Sequence, residues 1–334
     1  MRISLVTVTY RSAVWLERLL PTAGGVDEVI VVDHSEDEAE RRRLAALPID
    51  RLVVQPNRGY GAGLNRGVRE SSGDLLLLVN PDVRFAPGAI ERLAGLAARP
   101  GTGAAGPQLL WSERYPWRLP HSADYTVPLE WSMARCPRFA RALYLHRMRR
   151  IWSAAAPVAV PVLGGAVLTV LRERFEATGG FDERFFLFFE ENDWCRRLRR
   201  LGYRNLVDPG AVVHHDWGHA TGSAGGEHHA RSLERYRRLH FPRWYLRRHP
   251  APPSPAEPPL AGGEGPGCPA GAELLLVTST LAIPAAWRVV ERPVADVETL
   301  VPPDAGPARY HVLRRRGSRV ERIRTVERPG PDGR

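Results

Sequence analysis

Apolar and polar positions alternate with two periods along the first hundred residues. Residues 3–10 (ISLVTVTY) alternate and are β-branched, which predicts a strand. Ser12 is then placed to cap a helix carrying Trp15, Leu16, Leu19 and Leu20. Residues 28–32 predict a second strand ending in Asp33-His34-Ser35, followed by a charged helix over 36–47 and a third strand over 51–54. Residues 57–67 (NRGYGAGLNRG) read as a glycine-rich turn into a helix that ends near 72–73. In residues 74–84 (DLLLLVNPDVR), leucines and a valine run unbroken into Asn80-Pro81-Asp82. So short an apolar run, closed by turn residues, predicts a strand buried on both faces. Pro81 cannot donate to a ladder, so the strand stops there. A helix over 87–98 follows. This alternation predicts an α/β fold, a mainly parallel sheet with helices on both faces.

Residues 111–157 lose the pattern. They hold Trp111, Trp117, Trp131 and Trp152, several prolines and a basic run over 135–150. Phe139, Leu143 and Met148 are spaced to share one helical face among arginines. That reads either as an amphipathic segment contacting anionic lipid or as a solvated basic helix. Periodicity returns at 158–172, a strand with a Gly164-Gly165 break, which fits a bulge or the close approach of a ligand. Trp194, Leu198 and Leu201 then share a helical face ended by Gly202. A strand over 205–213 leads into His214-His215-Asp216-Trp217-Gly218-His219. Beyond Pro250 the chain turns rich in Pro and Gly, a linker composition. Short strands are expected over 273–280, 287–291, 308–314 and 319–326.

Composition narrows the chemistry. The 334 residues carry a formal net charge of +10 and contain no lysine, which removes P-loop and Schiff-base mechanisms. Arginine-rich surfaces suit phosphates and anionic partners. The three cysteines, Cys136, Cys195 and Cys268, have no metal spacing and fit a reducing compartment. The apolar start breaks at Arg11 and Glu17, so no signal peptide is expected. The best apolar run, 274–287, is short and contains Pro284, so no spanning helix is expected. No base-reading motif accompanies the basic charge, and nucleic acid is not an expected partner.

Three places carry candidate chemistry. Asp82 follows a central strand, at the edge where open α/β sheets bind ligands, although a turn residue looks the same. Glu190, Glu191 and Asp193 open a helix behind Phe185-Phe186-Leu187-Phe188-Phe189. They serve either as a charged first turn or as a general base at the rim of an apolar wall. His215 ends a later strand with other histidines nearby, a pattern that raises the odds of a metal ligand. The glycine-rich turn fails as a dinucleotide fingerprint: Gly59 and Gly61 are present, but position 64 is leucine and the turn follows the third strand.

In order, the stretches TVTYRS, VVDHS, NRGYGAGLNRG, LLLLVNPDV, GGFDERFFLFFEENDWCRRLRRLGY and PGAVVHHDWGH resemble family 2 glycosyltransferases of the GT-A fold, in the rhamnosyltransferase-like branch. The resemblance runs from about residue 2 to 245. It implies a Rossmann-like GT-A domain over 1–248, with 111–157 a variable insertion on the acceptor or membrane side. A linker over 249–270, a small β-rich C-terminal appendage over 271–328 and a disordered tail over 329–334 complete the expected organisation. By the resemblance, Thr9, Tyr10 and Asp33 flank the nucleotide base and ribose. Asn57, Gly59 and Asn65 continue that wall, and Arg58 lies near the phosphates. Asn80-Pro81-Asp82 matches the family's short acidic motif, with Asp82 on Mg²⁺ or Mn²⁺. His215 matches its metal-side histidine, with His214 as the alternative. Glu191 matches the catalytic base; it is Glu where the family motif has Asp, and Glu190 and Asp193 are the runners-up. Gly164 and Gly165 shape the acceptor side.

The implied reaction is an inverting transfer from a nucleotide diphosphate sugar, with dTDP-rhamnose the candidate donor, to a lipid-linked or glycan acceptor in cell-envelope synthesis. The expected location is the cytoplasm, with peripheral membrane contact through 135–150. A catalytically silent nucleotide- or glycan-binding subunit is the alternative. A nicotinamide oxidoreductase is disfavoured by the broken glycine pattern.

Overall fold

The computed structural model describes residues 1–121, 124–216, 225–251, 268, 270–277, 286–290, 292–301, 308–316 and 319–328. Most of the expected linker, the tail over 329–334, and Trp217, Gly218 and His219 lie outside the described residues. In chain order the elements are β1 Ile3–Thr9, α1 Ala13–Leu19, β2 Glu28–Asp33, α2 Glu38–Ala45, β3 Arg51–Val54, α3 Tyr60–Glu70, β4 Leu75–Val79, β5 Val83–Phe85, α4 Ala89–Ala97 and β6 Thr102–Leu110. Then come α5 Val127–Arg135, α6 Pro137–Trp152, β7 Val158–Val160, β8 Val167–Leu171, α7 Arg172–Ala177, α8 Glu190–Arg200, β9 Arg204–His215, α9 Gly225–His240 and α10 Arg243–Arg248. The last strands are β10 Glu273–Val277, β11 Ala286–Val289, β12 Ala308–Arg316 and β13 Arg319–Arg328.

The large sheet runs β3-β2-β1-β4-β8-β6-β9-β5, with β7 paired to β9. The first four strands are parallel; β1, β2 and β4 are buried on both faces, as their apolar sequences predict, while β3 is an edge strand with exposed positions. All five residues of β4 are fully buried. Beyond β4 the sheet is mixed: β8 runs antiparallel to β4 and β6, while β9 runs parallel to β6. Thr9 pairs with Asp33 and Thr7 with Val79, so the carboxyl ends of β1, β2 and β4 share one edge. Because β8 is antiparallel, its first residues reach that same edge. The ends of β6 and β9 reach it as well.

Several local expectations change. Ser12 does not cap α1; its hydroxyl accepts from the Tyr10 N–H (3.1 Å) and donates to the Tyr10 carbonyl. The strand expected over 158–172 is two strands with different partners, and Gly164-Gly165 lies in the crossing between them. β6 had no counterpart in the sequence reading, because TGAAGPQLL lacks both a β-branched run and an alternation.

Over 111–157 the chain forms α5 and α6. The buried side of α6 is Ala140, Tyr144, Leu145, Met148, Ile151 and Trp152, packed into the protein. Of the three residues expected on a lipid-facing stripe, Met148 is buried, Leu143 is half-buried and Phe139 stays exposed. The expected stripe is therefore not one face.

The C-terminal strands form a separate antiparallel sheet, β11-β10-β12-β13, as expected. It docks on residues 111–157. Trp117 Nε1 donates to the Leu300 carbonyl (2.7 Å). Arg118 and Trp287 exchange backbone hydrogen bonds of 2.7 and 2.9 Å. Trp152 stacks on Trp287 with centroids 5.8 Å apart and planes 2° from parallel. Tryptophans bring large apolar area to such contacts.

Helices α5, α9 and α10 meet at a buried ion pair. Arg237 donates to both Glu130 oxygens (2.8 and 3.0 Å), Tyr245 Oη donates to the same carboxylate (3.1 Å), and neither charged side chain is more than 1% exposed. Removing one partner strands the other charge in a low-dielectric interior. Glu130→Ala is expected to lower unfolding free energy by about 3–5 kcal/mol in urea titration. A loss below about 1 kcal/mol would mean that water reaches Arg237.

Candidate active site

The site is built from the shared sheet edge outward. β4 ends at Val79, and the Asn80 N–H donates to the Ala166 carbonyl (2.8 Å), turning the chain over the edge beside the start of β8. Asp82 sits in the turn before β5. β5 pairs antiparallel with β9, with Val83 opposite His215. That register brings His215 Nε2 to 3.3 Å from Asp82 Oδ1. The approach lacks hydrogen-bond geometry, and Oδ1 is buried with no hydrogen-bond partner among the described residues. The turn is held by the Asp216 N–H on the Asp82 carbonyl (3.1 Å) and by an Arg84–Asp216 ion pair (2.6 Å). His214, one residue earlier on β9, projects to the opposite face of the sheet. Burial lowers its pKa, and the charge of Glu113 is the largest effect opposing that.

The acidic helix start reaches the same edge through the aromatic turn. Phe188 (φ 70°) and Phe189 (φ 66°) both adopt left-handed backbone before Glu190 begins α8. Three contacts hold that turn. The Tyr60 N–H donates to the Phe186 carbonyl (2.8 Å), Ser232 Oγ donates to the Leu187 carbonyl (2.7 Å), and Phe185 and Phe189 pack with Tyr236, Phe241 and Tyr245. Gly59 (φ 102°) is required here, because a Cβ would lie 2.5 Å from the Phe186 carbonyl oxygen. Glu190 is buried, with Oε2 lacking a hydrogen-bond partner among the described residues. Burial, reinforced by the charge of Glu191, holds its pKa well above the usual carboxylate value. Glu191 lies against Gly165, whose Cβ position is 3.5–3.7 Å from the Glu191 side chain.

Asp193 faces elsewhere. Its carboxylate takes His240 Nε2 (2.8 Å) and Arg197 Nε (2.8 Å), beside a separate cleft lined by Gly180, Arg184, Arg200 and Leu239. Burial raises its pKa, but those two partners outweigh burial and the net shift is downward. A carboxylate so engaged anchors α8.

The other expected residues divide. Thr9 and Asp33 lie side by side and buried at the edge, Thr9 Oγ1 donating to Asp33 Oδ1 at 3.5 Å. The two Asp33 oxygens also accept from the Ser35 N–H and hydroxyl, both at 2.9 Å. Tyr10 is exposed just beyond them. Asn57 Oδ1 accepts from the Gly59 N–H (3.0 Å), shaping the turn into α3, and Arg58 is exposed there. Asn65 does a different job: its amide donates to the Phe181 carbonyl (2.9 Å) and accepts from the Phe181 N–H (2.9 Å). It bolts α3 to the loop before the aromatic turn. Gly164 faces Leu109 and His121 and not Glu191.

Tyr60 is the residue that sequence reasoning missed. Its hydroxyl is buried without a hydrogen-bond partner among the described residues. Burial raises its pKa most, then the charges of Glu190, Asp82 and Glu191. One phenol thus lies within the field of all three acids. Its only signal in the sequence was adjacency to Gly59.

The donor set fits a hard divalent cation. Among the described residues no three His, Cys, Asp or Glu side chains are grouped as a metal cage. Asp82, with its orphaned buried oxygen, and His215 could together offer two ligands. Mg²⁺ and Mn²⁺ suit such a site, taking further oxygens from water and substrate phosphates.

Comparison with known proteins gives this geometry a family. Residues 4–156 match the model for glycosyl transferase family 2. An N-acetylglucosaminyl-diphospho-decaprenol L-rhamnosyltransferase of Mycobacterium tuberculosis is 31% identical over 256 residues, covering 67% of this chain and 79% of that protein. The chain belongs to glycosyltransferase family 2. As a family 2 member it is a nucleotide-sugar-dependent glycosyltransferase, and Asp82 lies inside the matched region while Glu190, Glu191 and His215 lie beyond it. A low-salt glycan biosynthesis hexosyltransferase of Haloferax volcanii is 26% identical over 214 residues, covering 62% of this chain and 66% of that protein. The solved structure of GalNAc-T7 with UDP, GalNAc and Mn²⁺ superposes with a TM-score of 0.50 at 15% identity, over 71% of this chain and 48% of its own. That likeness shows the shared GT-A fold; the chain spans about half the length of that structure.

The raised Glu190 pKa has a thermodynamic consequence. Above the ordinary carboxylate range the folded protein binds more protons than the unfolded chain, so stability falls as pH rises. Glu190→Gln is expected to melt higher than wild type at pH 8, with the difference shrinking as pH falls toward about 4. Equal melting temperatures at both pH values would show that Glu190 is solvated.

Proposed function

We propose that this family 2 enzyme inverts an anomeric centre, moving a sugar from a nucleotide diphosphate to an acceptor hydroxyl during cell-envelope glycan synthesis. L-Rhamnose from dTDP-rhamnose is the proposed donor, and a lipid-linked glycan the proposed acceptor. The observation that carries the reading is the sheet edge where His215 Nε2 lies 3.3 Å from the orphaned Asp82 Oδ1, with Glu191 against Gly165 just before β8. The choice of donor and acceptor is supported by the mycobacterial relative, which is aligned over most of its length. No helix among the described residues is long and apolar enough to cross a membrane, so a lipid-linked acceptor would be met at the membrane surface.

Glu191 is assigned the proton from the attacking acceptor hydroxyl. Its place against Gly165 leaves bare backbone where an acceptor can approach. Glu190, whose pKa burial and the Glu191 charge raise, is not assigned that proton. Thr9 and Asp33 are assigned to the nucleoside, with Tyr10 beyond them and Asn57 and Gly59 continuing the wall. Exposed Arg58, at the turn into α3, is assigned to the phosphates. Asp82 and His215 would hold Mg²⁺ or Mn²⁺, which when bound supplies positive charge against the departing diphosphate.

The test is transfer from a panel of sugar nucleotides, dTDP-rhamnose among them, to an N-acetylglucosaminyl-diphospho-polyprenol with Mg²⁺ or Mn²⁺. Turnover is expected with dTDP-rhamnose. Asp82→Ala and Glu191→Gln are each expected to cut kcat by about 100-fold or more. Wild-type rates in either variant would refute the site. Binding of the nucleotide without turnover by the wild type would favour a silent subunit.

A further inference from the structure

Two buried oxygens in the cleft have no hydrogen-bond partner among the described residues and are not accounted for by the mechanism: Tyr60 Oη and Glu190 Oε2. They belong to elements locked together. The Tyr60 N–H is bonded to the Phe186 carbonyl in the turn that launches Glu190. The next residue of α3, Gly61, presents its Cβ position 3.6 Å from Glu190 Cβ and Cγ. Of the charges acting on the phenol, Glu190 is the largest. The start of α3 is thus packed against the start of α8, and neither orphan oxygen is satisfied by the other.

Buried polar atoms are normally satisfied, so two orphans facing one cleft point to a polar group that arrives with substrate. Its chemistry is constrained. The phenol stays protonated beside three acids and offers a donor. Glu190 Oε2 offers an acceptor when ionised and a donor when protonated. Diphosphate oxygens only accept, and an ionised Glu190 would repel them. A sugar hydroxyl accepts and donates at once, and so satisfies both atoms in either protonation state.

We propose that Tyr60 and Glu190 form a hydroxyl-reading pair that selects the donor sugar. The inference rests on reading this cleft as the donor site. A pair built for one hydroxyl discriminates strongly against a donor that lacks it, because its own buried groups are then left unpaired. Tyr60 thereby acts on which sugar is accepted and not on nucleotide affinity.

The experiment uses the full chain, the variants Tyr60→Phe and Glu190→Leu, dTDP alone, dTDP-rhamnose, and its monodeoxy analogues at each ring hydroxyl. Phenylalanine removes only Oη and leucine removes both carboxyl oxygens, and melting temperatures no lower than wild type would verify folding. Tyr60→Phe is expected to leave dTDP affinity unchanged and to cut kcat/KM for dTDP-rhamnose about tenfold or more. For one deoxy donor, wild type and Tyr60→Phe should be equal, and Glu190→Leu should lose its discrimination at that same hydroxyl. Equal losses on every analogue, an equal loss in dTDP affinity, or different hydroxyls for the two variants would overturn the pair. If another nucleotide sugar proves to be the donor, the rhamnose reading falls. The same comparison on that sugar's deoxy analogues then decides the pair.

Discussion

The cleft depends on one backbone constraint, the aromatic turn over residues 185–189. Two consecutive phenylalanines, Phe188 and Phe189, sit in left-handed backbone, a conformation costing roughly 1–3 kcal/mol each for a bulky side chain. It persists because its surroundings over-determine it. Gly59 allows the Phe186 carbonyl to come in close, the Tyr60 N–H takes that carbonyl, Ser232 holds Leu187, and an aromatic cluster fills in behind. Reversing the chain over so few residues turns the start of α8 back toward the sheet. Without it, Glu190 and Glu191 would open an ordinary exposed helix.

The sheet supplies the other half of the cleft with little strain. Parallel β1, β2 and β4 deliver Thr9, Asp33 and Asn80 to one edge, and antiparallel β8 returns Gly165 to it. The short β5 acts as a clamp: its pairing with β9 sets His215 against Asp82. Helix α8 is meanwhile tethered from behind by Asp193, through Arg197 and His240. The three acids of that helix thus have different surroundings. Asp193 is neutralised by partners, Glu190 is buried and unpaired by any cation among the described residues, and Glu191 stands at the glycine step.

Much of this was legible from residue order. The unbroken apolar run before Asn80-Pro81-Asp82 located β4 and its edge, because a strand covered on both faces has no polar positions to spare. Trp194 and Leu198 identified the buried side of α8. The adjacency of His214 and His215 left their roles open until strand register separated them, since neighbours on a strand point to opposite faces. Other features leave no local trace. β6 is written in Gly, Ala and Pro and is a strand only because β8 and β9 flank it. Asn65 looked like a substrate ligand because an amide is equally suited to bonding Phe181. Phe139 and Met148 are half a turn out of phase at about 3.6 residues per turn, so the expected stripe could not be one face, and which face of α6 is buried is decided by partners distant in sequence, Trp287 among them. The docking of the C-terminal sheet on Trp117 and Trp152 is a pairing across more than a hundred residues.

The account's central claim is that Asp82 and His215 meet a metal-bound sugar diphosphate in the same cleft as Glu191. Crystals soaked with Mn²⁺ and dTDP, measured for anomalous scattering, test it most directly. The account predicts one strong manganese peak within bonding distance of the Asp82 carboxylate and His215 Nε2, about 2.0–2.3 Å, with the diphosphate completing its shell. A dTDP molecule bound elsewhere, or manganese seated away from Asp82, would contradict it.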